Sequence, residues 1–143
     1  MVIVKLQKDA KIPTRGSEYA AGYDLYACID EPINIAPHTT VKIGTGISIE
    51  VPHGYFGGIY ARSGIATKRG LRPANCVGVI DEDYRGEVIV ALHNDTNQVH
   101  MVMPNERIAQ LILQPYLDSP IEEKDSLSQT ERGTGGFGDS GRF

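Results

Sequence analysis

From Val41 to Val51 the chain alternates. Val41, Ile43, Ile47, Ile49 and Val51 hold odd positions, broken only by Thr45, while Lys42, Gly44, Gly46, Ser48 and Glu50 hold the even ones. A period of two puts the apolar groups on one side of an extended chain. A half-buried strand, bent at its glycines, is therefore expected here. Shorter pieces repeat the theme. Val2 to Leu6, Tyr23 to Ile29, Tyr55 to Tyr60 and Val99 to Met103 read as strands. Turn residues separate them at Pro37-His38-Thr39, Pro52-His53-Gly54, Asn94 to Asn97 and Pro104-Asn105-Glu106. Periodicity cannot separate strand from helix for Ile108 to Leu113, but its short length and bounding prolines favour strand. Ile12 to Ser17 reads as loop. Ser63 to Arg69 reads as the one short helix, with Ser63 as cap and Gly70 as stop. With 16 glycines and 8 prolines, the chain is expected to be all-β, rich in turns and short strands.

Composition narrows the function classes. The 143 residues suggest one domain. A net charge of −4 provides no general field for nucleic acid, so a polyanionic ligand needs local arginines. There is no apolar run long enough to span a membrane, and Met1 to Lys5 lacks the layout of a secretory signal. Cys28 and Cys76 are isolated, with no histidine at ligand spacing, which suggests a reduced, cytoplasmic protein. His38, His53, His93 and His100 are scattered and read as surface or rim residues. Beyond Leu117 the chain turns polar and then glycine-rich. It divides into a core over 1–120 and an arm over 121–143, expected to be mobile and to order over a ligand.

Five stretches carry candidate chemistry. Gly78-Val79-Ile80-Asp81-Glu82-Asp83-Tyr84-Arg85-Gly86 lies between apolar runs at Val77–Ile80 and Val88–Leu92, and reads as a hairpin with an acidic tip. Within it, Asp83 and Arg85 are expected to pair, and Glu82 to be solvated. Taken alone it is an acidic β-turn. Ala61-Arg62-Ser63-Gly64 is either a plain helix start or an anion site, where free N–H groups, a hydroxyl and a guanidinium converge. Gln110, inside an apolar run, needs hydrogen-bond partners if buried, for structure or for a ligand. Asp24, after Gly22-Tyr23, is either a loop end or a carboxylate for ordering water. Arg132-Gly133-Thr134-Gly135-Gly136-Phe137-Gly138 lacks the Lys-Ser/Thr ending of a P-loop, and by itself is a flexible tail.

In that chain order, Ala21 to Leu25, Ala61 to Gly64, Gly78 to Gly86, Arg107 to Leu111 and Arg132 to Gly138 together resemble the five motifs of the trimeric dUTP diphosphatases. The resemblance spans about Pro13 to Gly141. It implies a distorted jelly-roll or β-barrel with an extended C-terminal arm. It also implies hydrolysis of dUTP to dUMP and pyrophosphate with Mg²⁺, in a homotrimer whose sites lie between subunits. By the same resemblance Asp81 positions the attacking water and accepts the sugar 3′-OH, and Tyr84 packs on the deoxyribose and refuses a 2′-OH. Arg62, Ser63 and Gly64 hold the phosphates, with Gln110 near the attacked phosphorus. Asn75, Gly78 and Ile80 read uracil, mainly through the main chain. Arg132 grips the γ-phosphate, Phe137 stacks on the base, the glycines, Gly138 among them, let the backbone wrap the phosphates, and Ser140 also binds substrate. No direct protein ligand to the metal is expected; Asp24 reaches it through water, since a carboxylate and a triphosphate repel.

Two departures stand out. Asp139 occupies a position where the family has a hydroxyl, and Tyr60-Ala61 precedes Arg62 where Ala-Pro is usual. Two other readings go with the same resemblance: a dCTP deaminase of the same fold, and a dUTP-sensing regulator that binds another protein.

Overall fold

The computed structural model describes residues 1–136. In these residues the chain forms β1 (Val2–Lys5), β2 (Thr14–Arg15), β3 (Tyr23–Tyr26), β4 (Ile33–Ile35), β5 (Thr40–Gly44) and β6 (Ile47–Glu50). Then come β7 (Tyr55–Tyr60), α1 (Ser63–Arg69), β8 (Leu71–Pro73), β9 (Gly78–Ile80), β10 (Ile89–Asn94), β11 (His100–Val102) and β12 (Arg107–Pro115). Pairing gives four open sheets rather than one closed barrel: β1-β6, β5-β10-β8, β11-β4 and β2-β3-β12-β7-β9. Their inner faces share one core, in which Leu25, Ile35, Ile43, Leu92, Ile108 and Leu111 are fully buried. The expected all-β class with one short helix is what the described residues adopt. From Tyr116 to Gly136 there is no strand or helix, and nearly every residue is exposed.

The 41–51 stretch is two strands rather than one. β5 pairs with β10 and β6 pairs with β1. The break falls at Thr45-Gly46, where Gly46 has φ +67. Breaking the ladder there leaves backbone groups to satisfy. Thr45 Oγ1 donates to the Val88 carbonyl at 2.6 Å, and the Gly46 N–H donates to Glu87 Oε1 at 2.8 Å. Ile47 lies four positions after Ile43, and Ile43, Ile47, Ile49 and Val51 are all buried; Thr45, Gly46 and Ser48 are buried with them, so the strand past the bend is not half-buried as the alternation implied.

The runs on either side of the acidic stretch do not form a hairpin. β9 adds to β7, whereas β10 lies between β5 and β8 in another sheet. The second run is bonded elsewhere from its first residue. Val88 donates its N–H to the Ile47 carbonyl at 2.8 Å and accepts from the Thr45 N–H at 3.2 Å. Residues 81–88 therefore cross between sheets.

The helix spans the expected residues and ends as expected. Gly70, at φ 60, donates its N–H to the Ala66 carbonyl at 3.0 Å. Its start differs. Arg62 is the extended residue at the N-cap and makes no side-chain cap, so Ser63 is the first helical residue rather than the cap.

A Cβ at position 46 would lie 2.7 Å from Cys28 Sγ and 2.8 Å from Ala10 Cβ, besides forcing a left-handed conformation on alanine. Gly46→Ala is expected to cost about 2 kcal/mol or more, read by urea denaturation. A loss under about 0.5 kcal/mol, typical of surface changes, would show that this bend is not a constraint.

Candidate active site

The five-stranded sheet has one face on the core and one turned outward. Leu25, Ala109, Leu111 and Ile59 point inward. Asp24 and Gln110 pair across β3 and β12, and Gln110 pairs in turn with Tyr60 on β7, so these three side chains form a row on the outward face.

Arg107 joins that row because of a bulge. The register runs Arg107 opposite Tyr26, then Ala109 opposite Leu25, then Gln110 opposite Asp24. In a regular strand, positions 107 and 110 would face opposite sides. The extra residue brings them to the same side, and leaves Ile108 and Ala109 both fully buried.

At the end of the row lies a cleft of about 380 Å³. It gathers Asp24, Arg62, Ser63, Gly64 and Gln110, with Arg107 beside them and Gly22 in its wall. Asp24 is only 7% exposed. Its Oδ1 accepts from Arg62 Nε at 2.7 Å and its Oδ2 from Arg107 Nη1 at 3.2 Å. One carboxylate thus holds two guanidiniums side by side, and each guanidinium has further N–H groups that suit an anion. Gln110 Nε2 donates to the Ala61 carbonyl at 2.8 Å, which ties β12 to the segment that delivers Arg62. Gly22 is required for this. A Cβ there would overlap Gln110 Oε1 and come within 3.1 Å of the amide carbon.

Asp81 lines a second cleft, of about 630 Å³, with Phe56, Val79, Glu82, Asp83 and Tyr116. β9 enters it as the last strand of its sheet, with Gly78 and Ile80 turned to the core and Val79 outward. The Asn75 amide sits against Gly78, 3.3 Å from where a Cβ would be. The Tyr84 ring is folded over Gly86, where any Cβ would collide with it, and its O–H donates to the Glu87 carbonyl at 3.0 Å. Ser48 donates to the Arg85 and Gly86 carbonyls at 3.0 and 2.9 Å. Tyr84 remains 42% exposed.

Two side-chain expectations in this loop fail. Arg85 does not pair with Asp83. Its Nη1 donates to the Glu82 carbonyl at 2.6 Å, and its Nη2 reaches Glu50 at 3.9 Å. Glu82 is not merely solvated. It accepts from the Gly54 N–H at 2.9 Å and the Tyr116 O–H at 3.2 Å, and lies 3.1 Å from His53 Nδ1. The His53 bond, ahead of the Gly54 N–H, holds the Glu82 carboxyl below its usual range, and the same bond pushes His53 up.

The two clefts share no lining residue. The structure therefore brings Asp24, Arg62, Ser63, Gly64 and Gln110 together but does not bring Asp81 to them within one chain. Arg132 lies on the exposed arm, its carbonyl accepting from the Gly135 N–H at 3.1 Å. Phe137, Gly138 and Ser140 lie outside the described residues.

A family model described as dUTPase matches residues 8–141. This chain belongs to the dUTPase family. It is 45% identical over 139 residues to the deoxyuridine 5'-triphosphate nucleotidohydrolase of Desulfitobacterium hafniense, covering 96% of this chain and 92% of that one. It is 41% identical to the enzyme of the same name from Hydrogenobaculum sp., over 99% and 97% of the two chains. The dUTPase of Staphylococcus bacteriophage 80alpha, solved with dUPNHPP, superposes with a TM-score of 0.84 at 27% identity, covering 98% and 97%.

Arg107, Gly22 and Glu82 are the residues that sequence reasoning left without a role. All three lie in or beside quoted motifs of this dUTPase chain, so their positions were available. Their roles were not, since those depend on the bulge and on cross-strand contacts. Gly22→Ala is expected to push Gln110 off the Ala61 carbonyl and to lower kcat about 10-fold or more, with the melting temperature little changed. Unchanged kcat in steady-state assays would remove Gln110 placement from catalysis.

Proposed function

We propose that this chain hydrolyses dUTP to dUMP and pyrophosphate. The observation that carries the reading is the Arg62–Asp24–Arg107 clamp in a cleft shared with Ser63 and Gln110, in a chain of the dUTPase family. The named relatives and the phage enzyme solved with dUPNHPP support the substrate. The two guanidiniums, the Ser63 hydroxyl and the Gly64 main chain bind the phosphates. Gln110 lies beside the attacked α-phosphorus. Asp81 orients a water in line with the leaving pyrophosphate and accepts its proton. Tyr84 stands where a ribose 2′-OH would go. The open edge of β9 offers Gly78 and Ile80 main-chain groups to the O2, N3–H and O4 pattern of uracil, with Asn75 adding an amide. Cytosine reverses two of those groups, and thymine adds a methyl against the strand. The reaction class and the motif set favour this over a dCTP deaminase, which would release ammonia.

Magnesium fits this site through the substrate. No group of three or more acidic, histidine or cysteine side chains capable of holding a metal occurs among the described residues. Among the described residues Asp24 is the one carboxylate lining this cleft, and it already serves two arginines. Magnesium carried on the phosphates would draw charge from the leaving group, with Asp24 reaching its water shell.

The active unit is a homotrimer with sites between subunits. Separate clefts in one chain support it, as does an outward sheet face bearing Val79, 57% exposed, beside Phe56 and Ile112. In that assembly the Asp81 loop of one subunit meets the arginine cleft of another. The 121–143 arm then closes over the substrate with Arg132, Phe137, Gly138 and Ser140. The described residues contain no helix long and apolar enough to cross a membrane. Both cysteines are free thiols, as suits a reducing, cytoplasmic setting.

A panel of dUTP, UTP, dCTP and dTTP tests the substrate: dUTP alone should turn over, and equal turnover of UTP would sink the Tyr84 role. Asp81→Asn should lower kcat about 10²–10⁴-fold, and an unchanged kcat would take Asp81 out of the chemistry. Mixing Asp81→Asn chains with chains truncated after Ser128 should restore part of the activity. An inert mixture after demonstrated subunit exchange argues against shared sites.

A further inference from the structure

Asp81 needs a fixed direction to aim a water, yet it sits on a loop that crosses between two sheets. Its own carboxylate makes no hydrogen bond or ion pair within the described residues, as suits a group reserved for a ligand. The restraint comes from its neighbour. Glu82 Oε2 accepts from the Gly54 N–H at 2.9 Å and from the Tyr116 O–H at 3.2 Å, and both its oxygens lie within 3.1–3.2 Å of His53 Nδ1. The Glu82 carbonyl accepts from Arg85 at 2.6 Å. This one residue joins three segments: the turn before β7, the loop after β9, and the chain just past β12. Glu82 and Tyr116 line the same cleft as Asp81.

We propose that Glu82 is a positioning residue for the reaction. It pins the Asp81 loop to the β6–β7 turn and to Tyr116, and so sets the direction of the Asp81 carboxylate. Glu82 is not itself the base, because the donors from His53, Gly54 and Tyr116 already occupy its oxygens and lower its basicity. Tyr116 is also the residue from which the C-terminal segment departs, so the same carboxylate ties the root of that segment to the catalytic loop. The proposal rests on the reading of Asp81 given above. It adds to that reading a residue with no expected role.

The test is a double-mutant cycle with dUTP and Mg²⁺, with the oligomer checked for intact melting. Glu82→Ala should lower kcat about 10–100-fold, with KM changed less than about threefold. In an Asp81→Asn background, Glu82→Ala should lower kcat no further, because it acts only through Asp81. Glu82→Gln, which keeps the shape, should recover part of the loss. Tyr116→Phe and His53→Ala each remove one donor. They should each lower kcat by a few-fold, and they decide the matter if the Glu82 variants do not fold. Full kcat in folded Glu82→Ala, or in both donor variants where it does not fold, overturns the proposal; so do losses that multiply with Asp81→Asn. If Asp81→Asn itself keeps its kcat, the Asp81 reading fails instead, so the two failures are distinguishable.

Discussion

The site depends on one carboxylate held between two guanidiniums. Arg62 and Arg107 both reach Asp24, so two like charges share a confined space. Two unit charges about 4 Å apart near a protein surface repel by about 4 kcal/mol. A single anion between them turns that repulsion into a clamp. The clamp holds its shape because Asp24 is nearly buried on β3 and cannot swing away. Removing such an anion would leave two partly desolvated cations unpaired, a far larger loss than that of an exposed ion pair.

The supporting architecture follows from that arrangement. β3 supplies Asp24, β12 supplies Arg107 and Gln110, and the segment after β7 supplies Arg62. These three strands are adjacent in one sheet, so the ladder itself fixes the spacing of the charges. Gln110 closes the arrangement by binding Ala61, and Gly22 leaves room for it to do so. Strands therefore hold Asp24, Arg107 and Gln110, while Arg62, Ser63 and Gly64 come from the link between β7 and α1.

The other half is organised differently. The Asp81 loop has no ladder of its own and is held by side chains from elsewhere. Glu82 anchors one end, and Thr45 and Ser48 anchor the other through the carbonyls of residues 85–88. Tyr84 is fixed between Gly86 and the Glu87 carbonyl. The bend at Gly46 is thus more than a break in a strand. It points Thr45 and Ser48 at the loop that bears the acid and the aromatic ring.

Much of this was legible in the sequence. Alternation identified the buried apolar positions from Ile43 to Val51 even though the strand breaks between them, but not Gly46 and Ser48, even-numbered positions that tertiary packing also buries. The helix and its glycine stop were readable, since both rest on local backbone preferences. The motif residues that line the Asp24 cleft were readable as residue types in order. Sheet membership was not. Val77–Ile80 and Val88–Leu92 look like the arms of a hairpin, and only contacts with β7, Thr45 and Ile47 send them to different sheets. Nor could Arg107 be assigned to the face of Asp24, because a one-residue bulge reverses its direction and leaves no mark in the residue pattern. The sequence by itself determined which groups are apolar, which are charged and where the chain can turn. The tertiary structure decided which of those groups meet, because facing and pairing depend on register, and register is a property of two strands together.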